Sequence, residues 1–297
     1  MARPTTPTLA DWLQRCWPAY DWAHADVRHA CFHDVAILAP DVVARVSRHG
    51  DQTARVHRER SVLVALSAVS LPFRVPRSLS DVVAHAGRAG MLATYVPGES
   101  RADISWAEAA GPFAEVLKSF SRVDVAAVRG RLPTPRAWCG GERWPEVVKG
   151  RLAPHLPHDL RPAALSVVGA VLDSERGVAP GFVHGDFGPH NVLWRGADIG
   201  GLIDFDHACV GDPAMDVAPL IGFFGAAAVE SVVDQATLER AMLHRASLSL
   251  QLAAAADLLC DAALRHHALS NFVARARAGT LYDPGGCRPR LRDETAR

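Results

Sequence analysis

Apolar positions recur along this chain with two different periods, and the change from one to the other divides it. In the first hundred residues the apolar runs are short and rich in β-branched side chains. Asp34-Val35-Ala36-Ile37-Leu38 and Val42-Val43-Ala44-Arg45-Val46 read as strands joined by a turn at Ala39-Pro40-Asp41, with a third candidate before them from Val27. Two more strands are expected at Asp81 to Ala84 and Met91 to Tyr95, around the turn Gly87-Arg88-Ala89-Gly90. Leu9 to Trp17 and Gln52 to Val69 carry helical spacing instead. Leu9, Trp12, Leu13 and Cys16 mark one apolar face, and Val56, Leu63 and Leu66 another. From Trp106 onward the helical period dominates. It predicts helices over Trp106 to Phe120, Trp144 to Leu152, Leu160 to Leu172, Ala214 to Phe224, Gln235 to Arg245 and Ser247 to Leu269. Arg129 to Gly141, rich in Pro and Gly, reads as a loop. The order predicts an α+β fold in two parts, a strand-rich 1–98 and a mostly helical 99–297.

One stretch inside the helical part breaks its pattern. Gly181-Phe182-Val183 leads into His184-Gly185-Asp186-Phe187-Gly188-Pro189-His190-Asn191, and Val192-Leu193-Trp194 leads out. After a turn at residues 195–201 comes Leu202-Ile203-Asp204-Phe205-Asp206. The reading is strand, polar loop, strand, turn, strand, acid. It sets a carboxylate, Asp186, and a carboxamide, Asn191, on one tight loop, with a second carboxylate, Asp204, leaving a neighbouring strand. Phosphoryl transfer from a nucleotide uses such a set: a base to orient a hydroxyl, and oxygen ligands for Mg²⁺. In the first part, Glu59 falls on the apolar stripe of its helix, and a lone acid there needs a partner. Arg45 is the obvious one, although several basic neighbours in Arg55-Val56-His57-Arg58-Glu59-Arg60 also qualify.

The same residues resemble a known family. Asp186 and Asn191 stand five apart, as do the Asp and Asn of the kinase catalytic loop, and the metal-binding acid follows one hairpin later. With His184-Gly185-Asp186, Ile203-Asp204-Phe205-Asp206 and Gly211-Asp212-Pro213-Ala214-Met215-Asp216-Val217-Ala218, the chain looks like the aminoglycoside phosphotransferase and choline kinase superfamily. Phe32-His33-Asp34-Val35-Ala36-Ile37 and Phe73-Arg74-Val75-Pro76 extend the similarity toward the viomycin and capreomycin phosphotransferases.

The resemblance implies a bilobal protein-kinase-like fold, with 1–98 a nucleotide-binding lobe ending in a hinge and 99–297 a catalytic and substrate-binding lobe. It implies Asp186 as the catalytic residue, and Asn191 and Asp204 as ligands of Mg²⁺. Arg45, where kinases usually have Lys, would hold the phosphates of ATP, with Glu59 as its ion-pair partner; GTP is an alternative nucleotide. The Thr94 carbonyl and Val96 amide would meet the base. Asp206 is either a metal neighbour or a substrate contact. Asp212 and Asp216 read as structural. The implied reaction phosphorylates a hydroxyl of a small-molecule antibiotic, a cationic aminoglycoside or cyclic peptide, and so confers resistance. Asp257 and Asp261, four apart on one expected helix, would face such a cation. A metabolic kinase for choline, a sugar or homoserine, a macrolide kinase and a non-catalytic nucleotide-binding module are the alternatives.

Composition narrows the partners. Lys+Arg and Asp+Glu each number 32 in 297 residues, so no bulk charge favours nucleic acid or an anionic membrane. The longest apolar stretch, Leu248 to Leu264, is interrupted by Gln251, Asp257 and Asp261, and no membrane span is expected. The six cysteines, Cys16, Cys31, Cys139, Cys209, Cys260 and Cys287, form no Cys-x-x-Cys pair and read as free thiols of a cytoplasmic protein. A monomer or weak dimer is expected.

Overall fold

The computed structural model describes residues 8–30, 32–48 and 52–289. Cys31 lies outside them. So do the first seven residues, residues 49–51, and the end of the chain from Arg290. The elements run α1 (Leu9–Cys16), β1 (Asp26–His29), β2 (His33–Leu38), β3 (Val42–Ser47), α2 (Thr53–Leu66), β4 (Val83–His85), β5 (Arg88–Thr94), β6 (Glu99–Ser100), α3 (Trp106–Ser121), α4 (Val125–Val128), α5 (Trp144–Val147), α6 (Arg161–Ser174), β7 (Gly181–Val183), β8 (Val192–Arg195), β9 (Asp198–Leu202), β10 (Cys209–Gly211), α7 (Ala214–Phe224), α8 (Ala226–Val229), α9 (Gln235–Leu258) and α10 (Ala262–Arg277). The chain separates into two compact units. The first takes the residues up to Glu99 together with Leu193–Phe205, and the second takes Ser100–Val192 and the residues from Asp206 on. The hairpin β8–β9 thus belongs largely with the strand-rich part, which a boundary drawn at residue 98 cannot express.

The first unit is built on an antiparallel sheet ordered β1-β2-β3-β5-β4. Period-two alternation along β3 turns Val42, Ala44 and Val46 to one face, where all three are fully buried. They pack with Trp12 and Leu13 of α1 and with Trp17, Trp22 and Leu92 in one cluster. Thr8 caps α1 in a reciprocal capping box with Asp11, so the helix that brings Trp12 onto the sheet has a defined start. Arg45, out of phase with these residues, belongs to the other face. The turn between β4 and β5 sits at Ala86 and Gly87, both left-handed at φ 48° and 75°, and β5 already begins at Arg88. That is earlier than the glycines suggest, because a two-residue hairpin needs both central residues left-handed.

The second unit is mostly helical, with β7 and β10 paired antiparallel, Cys209 opposite Val183. Helix α7 occupies the expected 214–224, while Trp144 to Leu152 runs as α5 followed by a wide π turn. The end of the chain differs from expectation. No break occurs near Ala246: α9 runs unbroken to Leu258. The break falls later, where Cys260 takes a left-handed φ of 57° and Asp261 caps α10 by accepting from the Leu264 amide at 2.9 Å. Asp257 and Asp261 therefore do not share a helix face. Arg265 of α10 reaches back to Asp257 at 2.6 Å.

Candidate functional site

In the second unit, the loop after β7 is held from beneath by helix α7. Asp216, in the first turn of α7, accepts from the His184 amide at 2.9 Å and from the Gly185 amide at 2.7 Å. Gly185 has φ 86°, and a Cβ there would lie 2.5 Å from the His207 carbonyl oxygen. Only glycine satisfies both demands. The imidazole of His184 is fully buried and accepts from the Asp186 amide through Nδ1 at 3.2 Å, which leaves its proton on Nε2. His184 thus acts as a brace of the loop. Asp212 caps α7 through the Ala214 amide and is paired with Arg240 at 2.9 Å.

These braces present Asp186 and Asn191 together. The Asn191 amide nitrogen donates to the Asp186 carbonyl at 2.9 Å and to Asp186 Oδ2 at 3.0 Å. Asn191 is buried, and with its nitrogen committed, the oxygen is the atom it can offer to a metal. His190 Nε2 lies 3.3 Å from the same Oδ2. Asp206 belongs to the single turn Phe205–His207, which Trp138 steadies by stacking on His207 at 4.0 Å. The Pro- and Gly-rich stretch at 129–141 therefore contributes a packing residue to this region.

Burial pushes the Asp216 carboxyl up to about 7, against the pull of its two amide donors, and the charge of Asp186 adds to the rise. An unfolded chain ionises this group near 3.8. Between about pH 4 and pH 7 the unfolded state has released a proton that the folded state keeps, so this residue's contribution to stability falls as pH rises through that window. Asp216→Asn removes the titration. Thermal melts should show the variant gaining on the wild type from pH 4.5 to pH 7, by up to roughly 3 kcal/mol. Its turnover should fall about tenfold or more, because the carboxamide NH₂ faces an amide donor it cannot satisfy. A melting difference that does not change with pH would refute the raised carboxyl.

In the first unit, Glu59 is buried on α2 and has more basic partners than the sequence singles out. His33 Nε2 approaches its Oε2 at 2.8 Å and Arg55 Nε donates to its Oε1 at 2.9 Å. Burial alone would raise the Glu59 carboxyl, but His33 first, then Arg45 and Arg55, hold it well below the usual carboxylate range. Arg45 also reaches His33 Nδ1 at 3.4 Å and Asp204 Oδ1 at 3.2 Å. Arg45, His33, Glu59 and Asp204 thus form one polar cluster, with Arg55 seated over the Phe32 ring at 3.9 Å. His33 is the member that sequence reasoning passes over. It stands at the start of a strand beside Asp34, where nothing local marks it as a partner of Glu59. Thr94 ends β5, tied to Arg77 by two contacts of 2.9 Å. Val96 is buried, and a Cβ on Gly201 would collide with its side chain.

Of the substrate candidates, Asp257 has its charge already answered. Arg151 Nε and Arg265 Nη1 each lie 2.6 Å from it, and it is 5% exposed.

A two-part α+β chain with a braced Asp–Asn loop defines the kinase-like phosphotransferases. Sequence comparison agrees: the phosphotransferase enzyme family matches residues 33–248. This chain belongs to that family of enzymes. Viomycin phosphotransferase of Streptomyces vinaceus is 30% identical over 274 residues, which cover 83% of this chain and 91% of that protein. The homoserine kinase of Gluconobacter oxydans is 31% identical over 153 residues, 48% of this chain and 43% of that one. Among solved structures, an aminoglycoside phosphotransferase with GDP and kanamycin aligns at a TM-score of 0.70, covering 90% of this chain and 97% of that one at 16% identity. The macrolide 2'-phosphotransferase of Brachybacterium faecium aligns at 0.60, covering 89% and 97% at 20% identity. Among the described residues no helix is long and apolar enough to cross a membrane.

Proposed function

We propose that this enzyme moves the γ-phosphoryl group of ATP or GTP to a hydroxyl of a small-molecule antibiotic of the aminoglycoside or cyclic-peptide class, with antibiotic resistance as the consequence. The observation that carries this reading is the Asp186 carboxylate, oriented by Asn191 on a loop braced by Asp216, in a chain similar to viomycin phosphotransferase over most of its length. The acceptor O–H gives its proton to Asp186 as its oxygen bonds to the γ-phosphorus. The bond from that phosphorus to the β–γ bridging oxygen breaks, and the nucleoside diphosphate leaves. Asn191 and Asp204, each in its own unit, offer hard oxygen donors that suit Mg²⁺, which when bound neutralises phosphate charge. Arg45 offers a guanidinium to the phosphates.

The test is nucleoside diphosphate release with Mg²⁺ and ATP or GTP over a panel of viomycin, kanamycin, a macrolide and homoserine, with product mass measured. Acceptor-dependent release and a product heavier by one phosphate are expected with an antibiotic. Turnover of homoserine alone would favour a metabolic kinase, the reading suggested by the partial homoserine kinase matches. Release with none of them would overturn the proposal.

Arg45→Ala should raise the nucleotide KM about tenfold and lower turnover, while Arg45→Lys recovers part of the loss. Thermal stability should change little, because Glu59 retains His33 and Arg55. An unaltered nucleotide KM in Arg45→Ala would remove this residue from nucleotide binding.

A further inference from the structure

Several acids of the second unit are engaged internally. Asp257 pairs with two arginines and Glu175 is held bidentately by Arg136 at 2.6 and 2.8 Å. Asp212 holds Arg240, Asp216 holds the catalytic loop, and Asp283 accepts from the Ala226 amide at 2.6 Å. What stands beside Asp186 instead is aromatic. The His190 imidazole, with Nε2 at 3.3 Å from Asp186, lies 5.4 Å from the Phe223 ring, their planes 36° apart.

Phe223 is placed there by the helix that braces the loop. It follows Asp216 by seven residues on α7, two turns along the same face. One face of α7 therefore meets the loop twice, through a carboxylate at its start and a ring at its end. The next residue, Phe224, is half-buried against Trp106 at 4.9 Å and Phe113 at 6.1 Å. Phe223 stays 51% exposed. Gly188 leaves room for the arrangement: a Cβ there would lie 2.7 Å from His190 Cε1 and 3.0 Å from Phe223 Cε2.

We propose that Phe223 and His190 form the floor of an acceptor subsite that takes an apolar or planar ring face next to the hydroxyl oriented by Asp186. Acceptor choice beside the reacting oxygen is then made by ring burial and not by ammonium–carboxylate pairs. This rests on the phosphotransferase reading and adds the kind of surface the acceptor must present.

The experiment compares Phe223→Ala, Phe223→Leu and Phe223→Glu with wild type on the aminoglycoside, cyclic-peptide and macrolide acceptors of the panel. For each acceptor turned over by wild type, Phe223→Ala should raise the acceptor KM about tenfold and leave the ATP KM unchanged. Phe223→Leu should recover most of the loss. Phe223→Glu should be at least as poor as Ala at every salt concentration. A KM lowered by Phe223→Glu, with the gain fading as salt rises, would show a cation at this position and overturn the proposal. So would an unchanged acceptor KM in Phe223→Ala, or turnover confined to the ringless homoserine. A wild type that phosphorylates nothing in the panel overturns the phosphotransferase reading itself, which separates the two failures.

Discussion

Asp186→Ala should lower phosphoryl transfer by about 100-fold to 10,000-fold, the range expected for loss of a general base, with nucleotide affinity held within about twofold. The loop should survive the change. Asn191 donates to the Asp186 backbone carbonyl as well as to the carboxylate, and the carbonyl remains in the variant. The His184 and Gly185 amides stay bound to Asp216. A second effect follows from charge. Asp186 is one cause of the raised Asp216 carboxyl, so its removal should lower that pKa and make the variant slightly more stable near pH 7. An active residue whose loss stabilises the fold is the expected trade between function and stability. Single-turnover kinetics, nucleotide titration and melts on one preparation check all three statements. Retention of more than about a tenth of wild-type turnover would remove Asp186 from the base role.

How far the sequence reaches can be judged from particular elements. Strands β2 and β3 were legible as short β-branched runs, and helix α7 as an apolar stretch buried without a break from Ala214 to Ile221. The loop from His184 to Asn191 was legible for a different reason. Asp186 and Asn191 lie five residues apart, so their pairing could be read from spacing, whereas the brace from Asp216 could not. The break at Cys260 was hidden because a non-glycine residue takes the left-handed conformation, in a stretch with no Gly or Pro to mark it. Asp257 was misjudged because one of its partners, Arg151, lies on a distant segment, and long-range pairing leaves no local trace. The same limit hid the engagement of Glu59 by His33 from strand β2, whereas Arg45 could be nominated from element order alone.

Asp204 should prove as sensitive as Asp186, and two substitutions there separate charge from backbone. Asp204 lies just past β9 with φ 65°, a left-handed conformation that Asp and Asn adopt more readily than most residues. Its Oδ1 accepts from Arg45 Nη2 at 3.2 Å, and its side chain is 40% exposed. Asp204→Asn keeps the backbone preference, the size and a carbonyl oxygen for Arg45, and removes only the negative charge. Its melting temperature should stay within a few degrees of wild type, while Mg²⁺-dependent turnover falls roughly 100-fold or more, as for loss of a hard anionic ligand. Asp204→Ala should lose as much activity and, in addition, about 1–2 kcal/mol of stability from placing alanine in the left-handed region. Raising Mg²⁺ should rescue part of the Asn variant and less of the Ala variant, because only Asn retains an oxygen donor. If Asp204→Asn turns over at the wild-type rate with an unchanged Mg²⁺ requirement, Asp204 is a backbone residue that happens to carry a charge, and its partnership with Arg45 is structural.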